Sequence, residues 1–581
     1  MATAEVTSSS PSDDDEGLPS DPFAVGVTEV TSESDDDAQP RARGRGRRGR
    51  GRTGGAMPKS RGRSRGGSVA MPKSRGRGRG QKKHGLDYLH KPRPKEEQDG
   101  EVTSESSETA RIKESSKRAR TSTANAEETS DSDEAHLAGA ATMGSASMPT
   151  SSGCFDYTQW LVSKLTSEQW SKLARAFTYL DLCAGLGTTI IAHEALRRAL
   201  LLHDLQINGK CVGLTESSRD RREALKRRLV CVESTAPIWE SNKQLASEDE
   251  PTIADILFMG IVCVDISRCS STPKSLLDDE GASGTSWLDL LAFLDSLGFE
   301  ALPKAIVLEC VDNLDNIRNV KGRWEKGTTI VIEALRERGY VGQWLRISAT
   351  HFGLPQRRPR VWGLFLKVRG GVGPKALKKR TEDLTKALEI VRVGECSGYE
   401  PLEDLLARTR DTHAFKPPRP SRRKSTWKED SHPKFKQQHN LTQDDILIGQ
   451  KEFLTITQDI ITAREQGAVW LELCKLRKQG TILDWKEHLL VSDCGSSVGW
   501  LSIVQGMFPC LRPGNKYLLL HHGQAKLARG PLCLALQGIG GPEAEAFNLL
   551  IEDDALLRGL AGNAFCANIT CAFLVASLLA V

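Results

Sequence analysis

The apolar run Ile256–Met259, with Gly260 and Cys263 close behind it, is the feature that most limits the folds this chain can adopt. The run is too short for a helix and lacks the alternation of a half-exposed strand, so it predicts a strand buried on both faces. Such strands belong to open α/β sheets, whose ligands bind outside the carboxyl ends of the strands. The Cys263 thiol is therefore expected to face a ligand, although most intracellular cysteines are small buried apolar residues.

A strand and a glycine turn come earlier in the chain. Residues 177–182 read Phe-Thr-Tyr-Leu-Asp-Leu, and Cys-Ala-Gly-Leu-Gly follows at 183–187 before a helical pattern begins. Gly185 and Gly187 permit a tight turn and let a ligand approach the backbone at the amino end of that helix. The next strand ends in Glu216, which is placed to bind a ribose hydroxyl pair. Glu216 alone would be an ordinary surface acid, but the order of these features predicts a domain for a nucleoside cofactor.

Two more polar groups are predicted at the same sheet edge. The strand Lys304–Glu309 ends in a carboxylate, so Cys263 and Glu309 should terminate neighbouring strands. Between them, Ser270–Ser286 is rich in Ser, Gly and Asp and is predicted to be a mobile loop. Arg358 and Arg360 enter a later strand at alternate positions and should therefore point to the same side.

Metal and membrane functions are not indicated. The 14 cysteines form neither a Cys-x-x-Cys pair nor a Cys/His cluster at metal spacing. This argues for reduced thiols inside a cell and against a zinc site. No apolar run reaches the ~18–20 residues of a spanning helix, and the amino end lacks the basic flank and apolar core of a secretory signal.

The amino-terminal part of the chain has a sharp charge polarity. Residues 1–40 contain 11 Asp or Glu and no Lys or Arg, whereas residues 41–83 contain 17 Lys or Arg and no acid. Neither block has hydrophobic periodicity, so we predict a disordered tail over residues 1–152. The basic block contains a repeat: the octapeptide Ala56–Arg63 recurs as Ala70–Arg77, and residues 64–69 separate the two copies.

The repeated Arg-Gly-Arg units resemble the core of an AT-hook, without the proline that usually follows it. That resemblance predicts minor-groove contacts from Arg61, Arg63, Arg75 and Arg77. A generic polycation that binds any phosphate backbone, including RNA, is the alternative. The cluster Lys117–Arg120 is typical of a nuclear import signal, which predicts a nuclear protein.

The motifs, in this order, resemble those of the cytosine-5 DNA methyltransferases over about residues 175–370 and again over 505–581. Six stretches carry the resemblance, and they start at Asp181, Gly260, Leu308, Gln356, Leu534 and Gly562. In that order they resemble the family's cofactor, nucleophile, Glu-Asn-Val, Gln-x-Arg-x-Arg, Leu-Gln-Gly and Gly-Asn motifs. The resemblance implies a doubly wound, Rossmann-like α/β sheet that binds S-adenosylmethionine and methylates carbon 5 of a flipped-out cytosine in DNA. The base would leave the duplex at a cost of a few kcal/mol, and the Ser270–Ser286 loop would close behind it.

The resemblance also assigns roles to individual residues. Cys263 would be the nucleophile that adds to the cytosine ring, and Glu309, Arg358 and Arg360 would complete the catalytic set. The two arginines would increase the thiolate fraction of Cys263. Contacts to the nucleic acid are expected from Ser267 and Gln356. The expected cofactor-binding residues are Asp181, Cys183, Ala184, Gly185, Leu186, Gly187, Glu216, Gly260, Asn563 and Ala564.

The family pattern divides the chain into four parts. After the tail, residues 153–370 would form the first part of the catalytic domain, 371–504 a target-recognition region, and 505–581 the closing motifs with a helix that returns to the catalytic sheet. Within the third part, Lys416–Lys428 is basic and broken by prolines. Arg422, Arg423 and Lys424 are predicted to contact phosphates, with a solvated surface loop as the alternative.

The sequence departs from the family at the supports of the reacting groups. Val262 and Val264 replace the proline and glutamine that flank the nucleophile, and Cys310 replaces the asparagine after the acid. Two other functions therefore stand beside a DNA methyltransferase. One is an RNA enzyme, since a branch of the family methylates a transfer RNA, and the other is a catalytically weak DNA-binding or scaffold protein.

Overall fold

The structure is a computed structural model that describes residues 153–268, 270, 274–320, 323–368, 373–409, 431–481, 484–496 and 498–581. The predicted tail 1–152, with Arg61, Arg63, Arg75 and Arg77, lies outside the described residues. Arg422, Arg423 and Lys424 lie outside them too. Residues 271–273 of the predicted loop Ser270–Ser286 are likewise not described, nor is residue 269 before it.

A seven-stranded sheet forms the centre of the fold, with strand order β3-β2-β1-β4-β5-β9-β8. Strands β1 to β5 run parallel to one another, and β8 and β9 are antiparallel to their neighbours. The chain reverses its direction across the sheet between β1 and β4, which makes the carboxyl ends of these strands the expected ligand edge. The strands are β1 Ala176–Leu182, β2 Asn208–Thr215, β3 Ile238–Trp239, β4 Ile256–Gly260, β5 Ala305–Val311, β8 Tyr340–Ser348 and β9 Pro359–Lys367.

Helices cover both faces of this sheet. Alternate residues of β4 enter different cores: Phe258 joins one buried cluster, whereas Leu257 and Met259 join the other. Because side chains alternate across a strand, a strand buried on both faces has to be apolar throughout. The predicted doubly wound, Rossmann-like fold is therefore confirmed. The helices of this part are α1 Cys154–Ser163, α2 Ser167–Leu173, α3 Thr188–Leu201, α4 Arg219–Cys231, α5 Asn242–Ala246, α6 Ala282–Ser296, α7 Gly327–Glu337 and α8 Pro374–Val393.

The helix α8 lies within the range 371–504 but packs on the catalytic sheet. Its Arg380 donates from Nε to the carbonyl of Lys367 on β9 at 2.8 Å and from Nη1 to the carbonyl of Ala580 at 2.7 Å. The basic side chain thereby ties α8 to both the sheet and the carboxyl-terminal helix.

A second, smaller sheet follows, with strand order β11-β10-β12-β13 and antiparallel pairing throughout. Its strands are β10 Leu490–Asp493, β11 Ile503–Gln505, β12 Tyr517–His521 and β13 Gln524–Leu527; the hairpin of β6 Ile317–Val320 and β7 Arg323–Lys326 stands apart. The sheet shares a core with helices that include α10 Ser431–Gln438, α11 Gln443–Leu447, α12 Gln450–Thr457 and α13 Ala463–Lys478, while α9 Leu402–Arg408 packs in the main core. Because this sheet contains strands on both sides of residue 504, it links the third and fourth predicted parts of the chain.

The carboxyl-terminal segment returns to the central sheet. It consists of α14 Gly530–Ala535, α15 Gly541–Ala546, α16 Asp554–Asn563 and α17 Ala567–Ala580. The ring of Phe573 on α17 stacks on Trp362 of β9 with 5.1 Å between centroids, so α17 is a core helix. Among the described helices, none alone is long and apolar enough to cross a membrane; α16 and α17 pass that test together but are bent by 42°.

Candidate active site

The Cys263 side chain lies at the edge of the sheet where β4 and β5 end. Gly260, the last residue of β4, is the register partner of Glu309 near the end of β5. The chain then leaves the sheet, and the backbone N–H of Ile261 donates to the carbonyl of Glu309 at 2.9 Å. The prediction that the strands of Cys263 and Glu309 are neighbours is therefore confirmed, and the half-buried Cys263 thiol lies close enough to Glu309 to be affected by its charge.

Glu309 and Arg360 form an ion pair in this site. Arg360 Nε lies 2.9 Å from Glu309 Oε1, and both side chains are nearly buried. The pair joins β5 to β9, where Val311 is the register partner of Arg360. Burial would lower the pKa of Arg360, but the negative charges of Cys510 and Glu309 more than compensate and raise it. The site thus holds a permanent cation and a carboxylate close to the predicted nucleophile.

The Cys263 thiol is less acidic than the sequence suggested. Burial and the charge of Glu309 raise its pKa, and Arg360 and Arg358 lower it only in part. The two arginines thus act on the thiol in the expected direction, but burial and Glu309 outweigh them. Arg360 is also paired with Glu309, so the thiol meets a nearly neutral pair rather than a free cation.

The loop that carries Cys263 is held in place by side chains from β5 and the turn after it. The carbonyl of Cys263 accepts hydrogen bonds from the backbone of Ile266 and Ser267 at 3.1 and 2.8 Å. The fully buried Cys310 thiol points to the carbonyl of Ile261 at 3.8 Å. Asn313 donates from Nδ2 to the carbonyl of Ile266 at 2.5 Å. A thiol and a neighbouring amide thus hold the loop that carries Cys263.

Two predicted site residues donate hydrogen bonds to buried backbone carbonyls. Arg358 is buried, and its guanidinium donates to the carbonyls of Leu511 at 2.8 Å and Ala564 at 3.0 Å. Gln356 is completely buried and donates from Nε2 to the carbonyl of Leu536 at 2.5 Å. Backbone carbonyls hold both side chains, which attach the carboxyl-terminal segment to the start of β9. The catalytic role of Arg358 and the nucleic-acid contact of Gln356 stay predictions.

The glycine turn after β1 has the shape that a bound nucleoside cofactor requires. Cys183, Gly185 and Gly187 all have positive φ angles, of 58°, 54° and 79°. A Cβ atom on Gly185 would lie 3.4 Å from the carbonyl oxygen of Asn563, so the turn and the end of α16 form a narrow cradle. Non-glycine residues with positive φ are uncommon and often mark functional sites, which makes the conformation of Cys183 a further indication.

Two buried acids lie beside this cradle. Glu216 accepts backbone hydrogen bonds from Gly185 at 3.1 Å and Ser218 at 2.8 Å. Asp181 is completely buried, and within the described part of the chain neither of its carboxylate oxygens has a hydrogen-bond partner. Burial raises the pKa of Asp181 to about 7, and the nearby Thr189 hydroxyl offsets this only in part. An orphaned acid, a glycine cradle and a fixed carboxylate together fit a ligand with hydroxyl and amino groups, such as S-adenosylmethionine.

The other predicted cofactor residues line the same region. A Cβ atom on Gly260 would lie 3.0 Å from the Phe565 ring, which lies against β4 at this edge. Asn563 is exposed and donates to the carbonyl of Gly559 at 2.9 Å. Ala184, Leu186 and Ala564 are buried, and Ala184 donates its backbone N–H to the carbonyl of Thr215 at 2.8 Å. Leu186 belongs to the core, so its side chain serves packing and only its backbone remains for a ligand.

Two residues at this edge were missed in the sequence. Asn242 follows β3 and is buried, with its Oδ1 accepting from the Thr215 hydroxyl at 2.7 Å. Its signal was a polar residue just after a short strand, but β3 is too brief to be recognised by periodicity. Cys510 Sγ accepts from Arg360 Nη2 at 3.4 Å. No motif marks Cys510, because it comes from a part of the chain remote from the other site residues.

No group of three His, Cys, Asp or Glu side chains that could hold a metal ion occurs among the residues that the structure describes.

Comparisons with known proteins agree with this geometry. Residues 177–464 match the family described as C-5 cytosine-specific DNA methylase. The type II methyltransferase M.DsaV of Dactylococcopsis salina is 27% identical over 186 residues, 32% of this chain and 44% of the relative. M.NgoMIV of Neisseria gonorrhoeae is 28% identical over 194 residues, 33% of this chain and 52% of the relative. The chain thus spans about half the length of these curated relatives.

Solved structures to which this chain is similar include a DNMT2 from Spodoptera frugiperda and a putative DNA modification methyltransferase encoded within an E. coli prophage. The first covers 69% of this chain and 99% of its own, with 13% identity and a TM-score of 0.36. The second covers 69% and 98%, with 13% identity and a TM-score of 0.37. Because the matched residues 177–464 contain the glycine turn after β1, Cys263, Glu309 and Arg360, the family match covers these parts of the site. Residues 177–464 of this chain form a domain of the C-5 cytosine-specific DNA methylase family.

Proposed function

We propose that this protein is an S-adenosylmethionine-dependent DNA (cytosine-5-)-methyltransferase that works through a covalent adduct with Cys263. The observation that carries the proposal is the placement of Cys263 beside the Glu309–Arg360 pair, at the edge where the glycine cradle also opens. When bound, S-adenosylmethionine supplies an electrophilic methyl group. Asp181, Glu216, Asn563 and the backbone of residues 183–187 would hold it.

The reaction requires cytosine carbon 5 to become a nucleophile. Cys263 loses its proton, and its sulfur forms a bond to carbon 6 of the flipped-out base, which moves an electron pair towards carbon 5. The proton that leaves the thiol reaches ring nitrogen 3 through solvent, so the Glu309 carboxylate accepts hydrogen bonds from this N–H and from the exocyclic amine and stabilises the charge that develops in the ring. Carbon 5 then gains the methyl group, whose former bonding electron pair stays on the sulfur of the cofactor. Carbon 5 and nitrogen 3 lose their protons to solvent, the bond from sulfur to carbon 6 breaks, and the Cys263 thiolate is regenerated.

Arg360 is proposed to bind the carbonyl oxygen of the same base. It is a buried, permanently charged donor on a rigid strand, and it needs no proton transfer to act. To receive a cytosine, Glu309 has to give up part of its pairing with Arg360. The base then forms two hydrogen-bonded contacts in place of the internal ion pair. The site is therefore selective for a ring that carries hydrogen-bond donors next to a carbonyl oxygen.

The surrounding parts of the chain are proposed to bind the nucleic acid. Residues 371–504, outside α8, would include the target-recognition surface, with Arg422, Arg423 and Lys424 as phosphate contacts. The basic block of the tail would tether the enzyme to nucleic acid, and the Lys117–Arg120 cluster supports a nuclear location. Ser267, in the turn after Cys263, remains a candidate contact to the DNA backbone.

The decisive experiment is transfer of tritiated methyl groups from S-adenosylmethionine to duplex DNA and to transfer RNA, run side by side. Incorporation at carbon 5 of cytosine in DNA is the expected result, and incorporation into transfer RNA alone would replace the proposed substrate. A DNA-binding protein with little turnover is the second candidate, because burial and Glu309 raise the pKa of Cys263. Binding of DNA and cofactor without incorporation into either nucleic acid would favour that candidate.

A further inference from the structure

The segment between β11 and β12 brings a second cysteine to the reacting groups. Cys510 is held through its backbone, because its carbonyl accepts a hydrogen bond from the Tyr517 hydroxyl at 2.9 Å. The next carbonyl, of Leu511, accepts from Arg358 at 2.8 Å. The Cys510 sulfur is directed to Arg360 Nη2, at 3.4 Å. This side chain therefore reaches the site from a fixed backbone rather than from a free loop.

Arg360 has three acceptors around its guanidinium. Nε meets Glu309 Oε1 at 2.9 Å, Nη1 meets the carbonyl of Pro359 at 2.8 Å, and Nη2 meets the Cys510 sulfur at 3.4 Å. Of these, only Glu309 is required by the base in the proposed reaction. When Glu309 turns to the base, the sulfur and the carbonyl are what keep the guanidinium plane in place.

We propose that Cys510 is a positioning residue for methyl transfer, which acts by holding Arg360 while Glu309 engages the flipped-out base. The inference rests on the proposed function, and it gives a role to a residue outside the family motifs. A misplaced donor loses much of its effect on a charged transition state, since electrostatic stabilisation depends on donors that are fixed before the reaction.

The charges around Cys510 support this role. Two arginines lie near Cys510, Arg360 on β9 and Arg358 just before it. Glu309 on β5 and Cys263 on the loop after β4 are the other charged or titratable groups near it. Burial alone would raise the pKa of Cys510, but the two arginines outweigh it and hold the pKa below the ordinary value of a thiol. Cys510 is thus the more acidic of the two thiols, and its negative charge adds to the causes that raise the pKa of Cys263.

Tyr517 is the titratable group that contacts Cys510 from β12. Burial raises the pKa of its hydroxyl, which therefore stays neutral over the pH range of the test below. Replacement of Cys510 by serine removes the charge and, because a C–O bond is shorter than a C–S bond, leaves a neutral hydroxyl farther from Arg360 Nη2 than the sulfur is. It should then have two separable effects, a loss of Arg360 positioning and an easier ionisation of Cys263.

The test uses peptide mass spectrometry to measure how the alkylation of Cys263 by iodoacetamide depends on pH. It compares the native chain with Cys510→Ser. The midpoint for Cys263 should move to lower pH in Cys510→Ser and stay in place in the control Cys396→Ser, whose half-buried thiol contacts the carbonyl of Gly394 away from the site. On DNA, kcat of Cys510→Ser should fall about 10-fold to 100-fold, as expected for loss of a bond to a charged group, with a smaller change in KM.

A second variant keeps the proposal testable if Cys510→Ser does not fold. In Arg360→Gln, the Cys510 midpoint should move to higher pH, and an unchanged midpoint would overturn the contact. If the native protein is active and Cys510→Ser keeps both its turnover and its Cys263 midpoint, the positioning role alone is refuted. A native protein that labels as expected but transfers no methyl group to DNA or RNA refutes the proposed function, and the positioning role with it.

Discussion

Glu309 and Arg360 are bound to each other, Oε1 to Nε at 2.9 Å, before any base has entered the site. Each group is the one that the proposed reaction needs on one edge of the flipped-out cytosine. Their pairing keeps two charges compensated in a nearly buried site, where an unpaired charge would be costly. The same pairing weakens the influence of Arg360 on Cys263, whose pKa is raised. Entry of the base therefore has to separate the pair and, in doing so, makes the thiol more reactive.

The first prediction concerns the nucleophile. Cys263→Ser should abolish methyl transfer, because a neutral hydroxyl is a far weaker nucleophile than a thiolate. Binding of S-adenosylmethionine, measured by calorimetry, should be nearly unchanged, and Cys396→Ser should keep normal activity. The native protein should form a covalent adduct with DNA that contains 5-fluorocytosine, since fluorine at carbon 5 blocks release. Methylation that persists in the serine variant would remove Cys263 from the mechanism.

The second prediction concerns the acid. Glu309→Gln keeps the shape of the side chain but loses the charge, so kcat should fall by about 10²- to 10⁴-fold while DNA affinity changes little. Asp312→Asn is the matched control: Asp312 lies just after β5 and pairs with Arg268 and Arg346 at 3.3 and 3.2 Å, outside the Cys263 site. Its kcat should stay within about threefold of the native value, which is the scale of a surface ion pair. Equal kcat values for native protein and Glu309→Gln would show that the carboxylate is only structural.

The sequence predicted the order of motifs and strands well, because buried parallel strands leave a strong apolar signal. The strand Ile256–Gly260 and the neighbourhood of Cys263 and Glu309 were both recognisable in this way. The apolar pattern over residues 155–177 is typical of one helix, but two helices form there, with a capping box at Thr166 between them, and the chain is already in β1 at Ala176. Capping residues that restart a helix within an apolar pattern are easily read as one continuous helix.

The site was predictable only as far as local motifs reached. Arg358 lies just before β9 and Arg360 within it, and this alternate spacing predicted a shared direction. In the structure Arg360 turns to Glu309, whereas Arg358 turns to the carbonyls of Leu511 and Ala564. What decides between the two is the position of the carboxyl-terminal segment, which comes from far along the chain. Cys510 was missed for the same reason.

The third prediction tests that structural role of Arg358. Arg358→Met removes the donors to two buried carbonyls, so the free energy of unfolding should fall by about 2–4 kcal/mol, the range for unsatisfied buried groups. Arg346→Met is the control, because Arg346 is 63% exposed and its ion pair with Asp312 is at the surface; its cost should be below about 1 kcal/mol. Urea unfolding followed by circular dichroism measures both values. Similar midpoints for the two variants would contradict the assignment.

The fourth prediction concerns pH and Asp181. Burial raises the pKa of Asp181 from 3.8 to about 7 in the folded protein. Between those values the folded state holds a proton that the unfolded state has released, so stability falls as the pH rises from about 4 to about 7 and then levels off. The full difference is on the order of 4 kcal/mol. Asp181→Asn should remove this part of the pH dependence, and Asp295→Asn, at an exposed carboxylate, should not. Parallel stability curves for native protein and Asp181→Asn would refute it.

The last prediction concerns the charge polarity of the tail. If the basic block over residues 41–83 binds phosphates, each contact adds about −0.9 to the slope of log affinity against log salt on duplex DNA. Deletion of residues 1–150 should therefore flatten that slope, and replacement of Arg61, Arg63, Arg75 and Arg77 by alanine should reduce its magnitude by up to about 3.6 if all four contact phosphates. Deletion of residues 1–40 is the opposite control: it removes 11 acids and leaves the 17 basic residues in place, so affinity at low salt should rise. Activity at saturating DNA should remain in all three proteins, because the cradle, Cys263 and the Glu309–Arg360 pair lie beyond residue 153. An unchanged slope in the four-alanine protein would show that these arginines do not bind the DNA backbone.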